Sequence, residues 1–533
     1  MPMFLVGRVP ACPRGNMLSA LGFRSVQANG MARTKRPWDH LSASEVRFLQ
    51  EAKLRKFLRT CVVPFSPFYR RMFERTGLDP NTFRTLDDLQ RIPFTTKQDI
   101  LVSDENPNGP KDLILQPSEE LLRTALPRME QVKLLAKKLA LGKQRLRSRL
   151  FREFNPCTMF FTTGRSSGSV PFFLTLYDQQ LLMETGRRLA EVVGIRPESD
   201  RVLNMFPYAP HLAFWQTAVA GLATGTLALN TGGGRVMPTD RLLAAFERLK
   251  PTVIIAMPGY FYHVLRTMIE DGHDLSSVRT IALGGENVPA GFKRKVQELM
   301  ATAGAPDAKV ASVLGFTESR QCWAECVGAR RTGFHTYPDL TLFEIIDPET
   351  GETLPEGETG ELVYTCLEGR GSVVLRYRTG DIVDGGIVSE PCPGCGRTVP
   401  RIMSNIQRSS NIKSLNIGKV KGCLVNLNTL SETLSGDREI EEWQIEIRKR
   451  NNDPYETDEV ALYTALTSHA NEDAFRARIQ SVVSEACELR LNEIVIEDTD
   501  SLLSRVGMER EMKEVRIIDR RQEGANAPQG ANP

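Results

Sequence analysis

The densest chemistry in the chain lies between Leu375 and Arg408, LRYRTGDIVDGGIVSEPCPGCGRTVPRIMSNIQR. Arg376–Asp381 (RYRTGD) is expected to end a strand in a tight polar turn with Asp381 exposed at its tip. A carboxylate beside guanidinium groups on such a turn suits a polyhydroxylated ligand such as a ribose. An ordinary type I turn with solvated charges is the alternative. The Cys392-Pro-Gly-Cys395-Gly knuckle follows. Two thiolates at this spacing can hold one metal ion through a tight turn, with two more ligands supplied from elsewhere. A pair of free thiols is the plainer alternative.

Other groupings point to anions. Thr162–Pro171 (TTGRSSGSVP) follows the apolar run Thr158–Phe161. Glycines let backbone N–H groups approach an anion and hydroxyls add donors, which makes Thr163, Gly164, Ser166, Ser167 and Gly168 candidate phosphate contacts. It is not a Walker loop, because no GK[ST] follows. Leu314-Gly315-Phe316-Thr317-Glu318 ends the expected strand Lys309–Val313. A hydroxyl followed by a carboxylate there can hold a phosphate and its Mg2+, and a helix cap explains the pair equally. Gly284-Gly285-Glu286 also follows a strand. Phe206, Tyr208, His211, Tyr260 and Phe261 could line a pocket for an aromatic acid, although such residues are commonly core. Lys513 opens the run KEVRIID, in which most lysines would be solvated.

In order and spacing these motifs resemble the phenylacetate–CoA ligase family, within the adenylate-forming superfamily of acyl-CoA synthetases, adenylation domains and luciferases. The resemblance extends to residues 66–100 and, more weakly, to the C-terminal hundred residues. It implies Asp381 on the ATP ribose, the Thr163–Gly168 loop on phosphate, and Gly285 and Glu286 against adenine. It implies Thr317 near the α-phosphate, Glu318 as magnesium ligand, and Phe206–His211 at a gate over the acyl pocket. Lys513 matches the C-terminal lysine that reaches the active site during adenylation, and Arg408 the start of the hinge. Cys326 and His335 would complete a structural zinc site with Cys392 and Cys395, with Cys322 and Cys366 in reserve. The chain departs from the superfamily pattern at Val170, where lysine is usual, at Leu314, at Met512, and at Ser409-Ser410-Asn411, where the hinge acids are missing.

These residues need a frame. From residue 200 to 365 short apolar strands alternate with helical runs: Val202–Phe206, Thr226–Leu229, Thr252–Met257, Thr280–Leu283, Lys309–Val313, Leu342–Ile346 and Glu361–Thr365. Such alternation builds a parallel sheet with covering helices, and ligands gather at the carboxyl ends of its strands. The expected fold is α/β: a large N-terminal adenylate-forming domain with mostly parallel sheets, and a small mobile α+β C-terminal lid. The expected division is an extension over 1–42, disordered or upstream of a start at Met31, then the ATP- and acyl-binding domain over 43–407. A hinge at 408–418, a lid at 419–520 and a disordered tail at 521–533 follow. Residues 117–154 read as one or two long helices inserted in the large domain, packed by their leucines or docking something anionic.

Composition excludes other classes. The chain is 41% hydrophobic and 25% charged with net charge +3, too balanced for nucleic acid as the main partner. No apolar run approaches a transmembrane span. Ten cysteines scattered over 533 residues fit a reducing, cytoplasmic compartment better than a disulfide scaffold. The resulting expectation is an enzyme using ATP, Mg2+ and coenzyme A on an aromatic or arylacetic acid, with structural zinc. An acyl carrier protein or an amine as acceptor, a homodimer, and a non-catalytic binding protein on the same fold stay open.

Overall fold

The structure is a computed structural model. It describes residues 37–162, 169–327, 332–408, 412–415, 423–452, 457–468, 470–487, 489–508 and 514–521.

The chain enters through the helix Ala43–Phe57, started by a capping box between Ser42 and Glu45 and continued by a π-helical turn over Leu58–Val62. The helix Pro67–Thr76 ends at Gly77 in the left-handed region, where glycine carries no Cβ penalty. Three helices follow in the basic insertion: Glu119–Thr124, Arg128–Leu141 and Lys143–Phe154. The last leads into a hairpin of β1 (Pro156–Phe161) and β2 (Pro171–Thr175).

Next comes the alternating region, with strands β3 (Arg201–Asn204), β4 (Leu227–Asn230), β5 (Val253–Ala256), β6 (Thr280–Gly284), β7 (Lys309–Phe316) and β8 (Gln321–Ala324). They form one sheet in the order β4-β3-β5-β6-β7-β8, parallel except for the last pair. The expected strands here fall within one or two residues of those observed, except that β7 runs three residues beyond the expected end at Val313. β6 is buried along its whole length, as a strand covered on both faces requires.

The remainder of the large domain is antiparallel. Its strands are β9 (Phe334–His335), β10 (Thr341–Ile346), β11 (Gly360–Cys366), β12 (Tyr377–Asp384), β13 (Ile387–Val388), β14 (Arg401–Ile402) and β15 (Asn405–Arg408). They make sheets β10-β11-β12-β15 and β13-β14-β9. Beyond the strand pair β16 (Ile412–Leu415) and β17 (Cys423–Asn426), the C-terminal unit carries β18 (Ile440–Lys449), β19 (Asp458–Leu466), β20 (Glu493–Ile496) and β21 (Ile517–Asp519). These form a mixed sheet, β20-β19-β18-β21, packed by the helices Leu427–Ser435 and Glu472–Cys487 around Trp443, Ile445, Leu462, Phe475 and Ile479. The architecture is thus α/β, with a large domain and a small α+β unit. Val506 and Met508, at the end of the helix Thr499–Val506, pack into the core of the large domain with Phe261 and Leu265.

Two expectations are corrected. RYRTGD does not close a strand in a turn: Tyr377 to Asp384 is one strand, and Asp381 is a buried residue within it. Gly380 makes this possible. Its φ of +72° absorbs a register shift between β11 and β12, so the strand bulges and continues. The leucines of the insertion pack it only in part: Leu146 is buried and Leu134 and Leu150 are half-buried, whereas Leu135 and Leu139 are exposed.

Candidate active site and cysteine–histidine cluster

Three motifs separated in sequence meet around the end of β1, and a fourth joins them through Glu318. The Phe161 carbonyl accepts a hydrogen bond from Thr317 Oγ1 at 3.3 Å and lies 2.7 Å from His211 Nδ1. Nδ1 facing a carbonyl fixes the tautomer, with its proton on that nitrogen. His211 Nε2 is buried with no hydrogen-bond partner among the described residues. Phe161 N–H in turn donates to the Pro210 carbonyl at 2.7 Å, so the gate segment and the hairpin are joined by backbone.

The mouth of the hairpin loop is closed from both sides. Thr162 N–H donates to the Val170 carbonyl at 3.0 Å, and Val170 N–H to Thr162 Oγ1 at 3.0 Å. Val170, where the superfamily has lysine, is fully buried in the main core and therefore serves packing. Thr163, Gly164, Ser166, Ser167 and Gly168 lie outside the described residues.

Thr317 and Glu318 follow β7. Gly315 is required just before them, because any Cβ there would collide with Cys322 Sγ. Glu318 Oε1 accepts from the Tyr377 hydroxyl at 3.0 Å, which joins the Thr-Glu motif to β12. Burial, and then the Glu318 charge, push the Tyr377 hydroxyl far above its usual pKa, so it stays a donor. On the same sheet Asp381 pairs in register with Arg408, and their side chains form an ion pair at 2.9 Å. Arg408 also donates to the Thr379 carbonyl at 2.8 Å. The hinge strand β15 is thereby tied to the proposed ribose carboxylate.

Two arginines hold left-handed backbone beside these motifs: Arg320, φ 58°, after Glu318, and Arg376, φ 43°, before Tyr377. Such conformations are costly for a side chain with a Cβ and persist where surroundings over-determine them. Arg320 pairs with buried Asp178 at 2.8 Å, and Asp178 also accepts from the backbone of Gly371 at 2.7 Å and Arg370 at 3.0 Å. Arg376 pairs with Glu344 at 3.1 Å and donates to the Gln90 and Ile92 carbonyls. Tyr377, Phe161, Asp178 and Arg320 are site-building residues that motif reading missed. Only Tyr377 lay inside a motif, and the others carry no local signal.

Gly285 (φ +87°) follows β6 with Phe206 and Met257 against it; a Cβ there would sit 3.5 Å from the Phe206 ring. Phe206, Tyr260 and Phe261 are buried together. Tyr208 stands apart, 61% exposed and edge-on to Phe214 and Trp215. Lys513 lies outside the described residues. Its neighbour Glu514 is buried at the seam with the large domain: its carboxylate fills the space a Cβ on Gly259 would take, and it faces Glu286.

The second constellation is compact. Cys326 Sγ, a His335 nitrogen, Cys392 Sγ and Cys395 Sγ all lie within 4.8 Å of one another. Cys326 and Cys392 sulfurs are 3.7 Å apart, and Cys395 Sγ is 3.3 Å from His335 Nε2. Tetrahedral zinc with bonds of about 2.3 Å to sulfur places two thiolates ~3.8 Å apart, so the set has the size of a zinc site. His335 Nδ1 faces the Ala324 carbonyl at 3.3 Å, the orienting contact a metal-bound imidazole ordinarily makes. The knuckle is closed by Gly396 N–H to the Cys392 carbonyl and Cys392 N–H to the Arg397 carbonyl, both 2.8 Å. Cys322 and Cys366 lie elsewhere; burial pushes the Cys322 thiol up to about 12.

Residues 174–371 match the family of AMP-binding enzymes. A phenylacetate–coenzyme A ligase of Thermus thermophilus is 28% identical over 383 residues, covering 70% of this chain and 72% of that one. Among solved structures, 2-hydroxyisobutyryl-CoA ligase in the postadenylation state with an acyl-AMP aligns over 93% of this chain and 95% of its own, TM-score 0.71 at 19% identity. The same ligase in its thioesterification state aligns with TM-score 0.55 at 19% identity, over 92% of this chain and 93% of its own. The chain thus shares the fold of a solved acyl-CoA ligase and, over residues 174–371, matches AMP-binding enzymes. Within that class, the chain is similar to phenylacetate–CoA ligases.

Proposed function

We propose that the protein is an ATP-dependent, AMP-forming carboxylate–CoA ligase acting on an aromatic or arylacetic acid. The observation that carries this reading is the junction of the Thr317-Glu318 turn, the Tyr377–Asp381 strand and the mouth of the Thr162–Val170 loop. One hydroxyl–carboxylate bond and one shared carbonyl hold these parts together.

In this reading the acid's carboxylate oxygen attacks the α-phosphorus, the bond to pyrophosphate breaks, and an acyl-adenylate remains. Thr317 and Glu318 hold the phosphates and Mg2+, which offsets their charge. Asp381 accepts from the ribose hydroxyls, exchanging its bond to Arg408 for them. Gly285, which brings no side chain, and Glu286 lie against the adenine. Phe206 and Tyr260 supply an apolar wall for the acid, with His211 Nε2 as an acceptor at its edge. Lys513 enters from the small domain and stabilises charge between carboxylate and α-phosphate. A CoA thiolate then attacks the acyl carbon and AMP leaves.

Structural zinc held by Cys326, His335, Cys392 and Cys395 would fix the knuckle against β9. Eight described cysteines form no disulfide, which suits the cytoplasm, and no described helix is long and apolar enough to cross a membrane.

The test is ATP–pyrophosphate exchange over a panel of carboxylic acids. Exchange that depends on an aryl or arylacetic acid, is lost in Lys513→Ala, and gives CoA-dependent AMP release supports the reading. Exchange without CoA-dependent release moves the acceptor to a carrier-protein thiol or an amine. No exchange with any acid leaves a binding protein on a ligase fold.

A further inference from the structure

The helices Arg128–Leu141 and Lys143–Phe154 contribute nothing to the site, yet they hold the strongest charge asymmetry in the chain. Residues 128–152 contain nine Lys and Arg and a single acid, Glu130, while the whole protein nets only +3. The segment is therefore a concentrated cationic face on an otherwise acidic body. The helix Lys143–Phe154 is built conventionally. Leu146 is buried, Leu150 and Phe154 are half-buried, and Arg145, Arg147, Arg149 and Arg152 point out.

The helix Arg128–Leu141 is built the other way round. Glu130, Gln131, Leu134 and Leu141 lean inward and are only half-buried. On the opposite face Met129 is 66% exposed, Val132 60%, Leu135 56% and Leu139 80%. Their spacing sets them on one side of the helix, with Ala136 and Ala140 between them, so they form a continuous apolar ridge. By the same spacing Lys133 and Lys137 border one flank and Lys138 the other. A convex apolar ridge with cationic flanks is the reverse of a packed surface helix and has the form of a helix that lies in a lipid interface.

We propose that this ridge docks the protein on an anionic lipid surface. Met129, Val132, Leu135 and Leu139 enter the boundary between headgroups and acyl chains. The flanking lysines and the arginines of the next helix face lipid phosphates and carboxylates. Two features favour lipid over an acidic carrier protein. The apolar side chains stand proud of the surface instead of lining a groove that a second folded protein could fill. The charge is also spread over both helices, as attraction to a charged plane requires. Docking of this kind leaves the proposed ligase site untouched and does not depend on it.

The experiment is sedimentation of the full-length protein with two kinds of vesicle: phosphatidylcholine alone, and phosphatidylcholine with about 30% phosphatidylserine. The protein should pellet with the anionic vesicles only and be released as salt is raised. Leu135→Glu combined with Leu139→Glu should reduce bound protein at least ~tenfold at an unchanged unfolding temperature. Equal binding to neutral vesicles, no binding to anionic ones, or binding insensitive to the double substitution overturns the proposal. It is equally overturned if the double substitution instead dissociates a dimer in solution. Capture of an acidic carrier protein through the ridge, without vesicle binding, overturns it too.

Discussion

A single hydroxyl links the two halves of the candidate nucleotide site. Tyr377 donates to Glu318 at 3.0 Å, and among the described residues no other hydrogen bond restrains the Glu318 carboxylate. A hydrogen bond to a charged group contributes about 1.5–3 kcal/mol. Tyr377→Phe keeps the ring that packs in the core and removes only that bond. Exchange activity should fall roughly ten- to a hundredfold, mostly as a weaker response to Mg2+ and ATP, with the unfolding temperature nearly unchanged. A magnesium titration of the exchange rate checks this, and an identical magnesium curve would refute the positioning role. Asp381→Asn probes the other side. Its carboxylate now binds Arg408 at 2.9 Å, a pair in which Arg408 is 57% exposed and so of small structural weight. Stability should hold while the KM for ATP rises about tenfold or more, since a charged ribose acceptor is lost. Steady-state kinetics at saturating acid separates that KM effect from any change in kcat.

At the scale of elements, the parallel sheet was legible because its strands are short apolar runs, each followed by a helical period and punctuated by Gly or Pro. The cysteine–histidine cluster was legible in part. The knuckle shows itself by spacing, whereas Cys326 and His335 came from family resemblance, since tertiary contacts far apart in sequence, such as the pairing of β14 with β9 at His335, bring them to the knuckle. The turn at RYRTGD was misread because Thr-Gly-Asp is turn chemistry locally. The strand continues through it because partners distant in sequence, β11 and β15, pair with it on either side. Of the insertion's leucines, Leu134, Leu146 and Leu150 face the protein as expected and Leu135 and Leu139 do not, because periodicity reveals that a helix has an apolar side, not which side meets the protein. The cluster also yields a prediction. Purified protein should carry one equivalent of zinc. Cys392→Ser with Cys395→Ser should release it and lower stability by at least ~3 kcal/mol, read by elemental analysis and thermal melts. Retention of zinc by the double variant would show that the metal sits elsewhere.

At the scale of the molecule, the small domain rests on the large one through a charged seam. Arg266 pairs with Glu441 at 2.7 Å and Arg438 with Glu298 at 2.9 Å across it, while within the small domain Arg516 pairs with Glu442 at 2.8 Å and Glu514 at 2.6 Å. Glu514, next to Lys513 in the chain, faces Glu286, Glu442 and Arg516 against Gly259. Burial above all, with Glu286 and Glu442 adding and Arg516 opposing, raises its carboxyl to about 7. The sign follows from linkage. A carboxyl raised above its unfolded value holds a proton in the folded state that the unfolded chain has already released. Its favourable state is therefore complete below the ordinary carboxyl value of 4.5 and is lost as pH climbs from there to about 7. The upper bound is on the order of 3 kcal/mol, shared with the neighbouring charges. Glu514→Gln cannot ionise and should gain on the native protein across that window. The two should melt at similar temperatures near the acid end, with the variant increasingly more stable toward neutrality and a constant gap above it. Melting curves taken at intervals over the window test this directly. A gap that stays the same at every pH would mean that Glu514 does not titrate at the seam, and that its carboxylate is held ionised by Arg516 throughout.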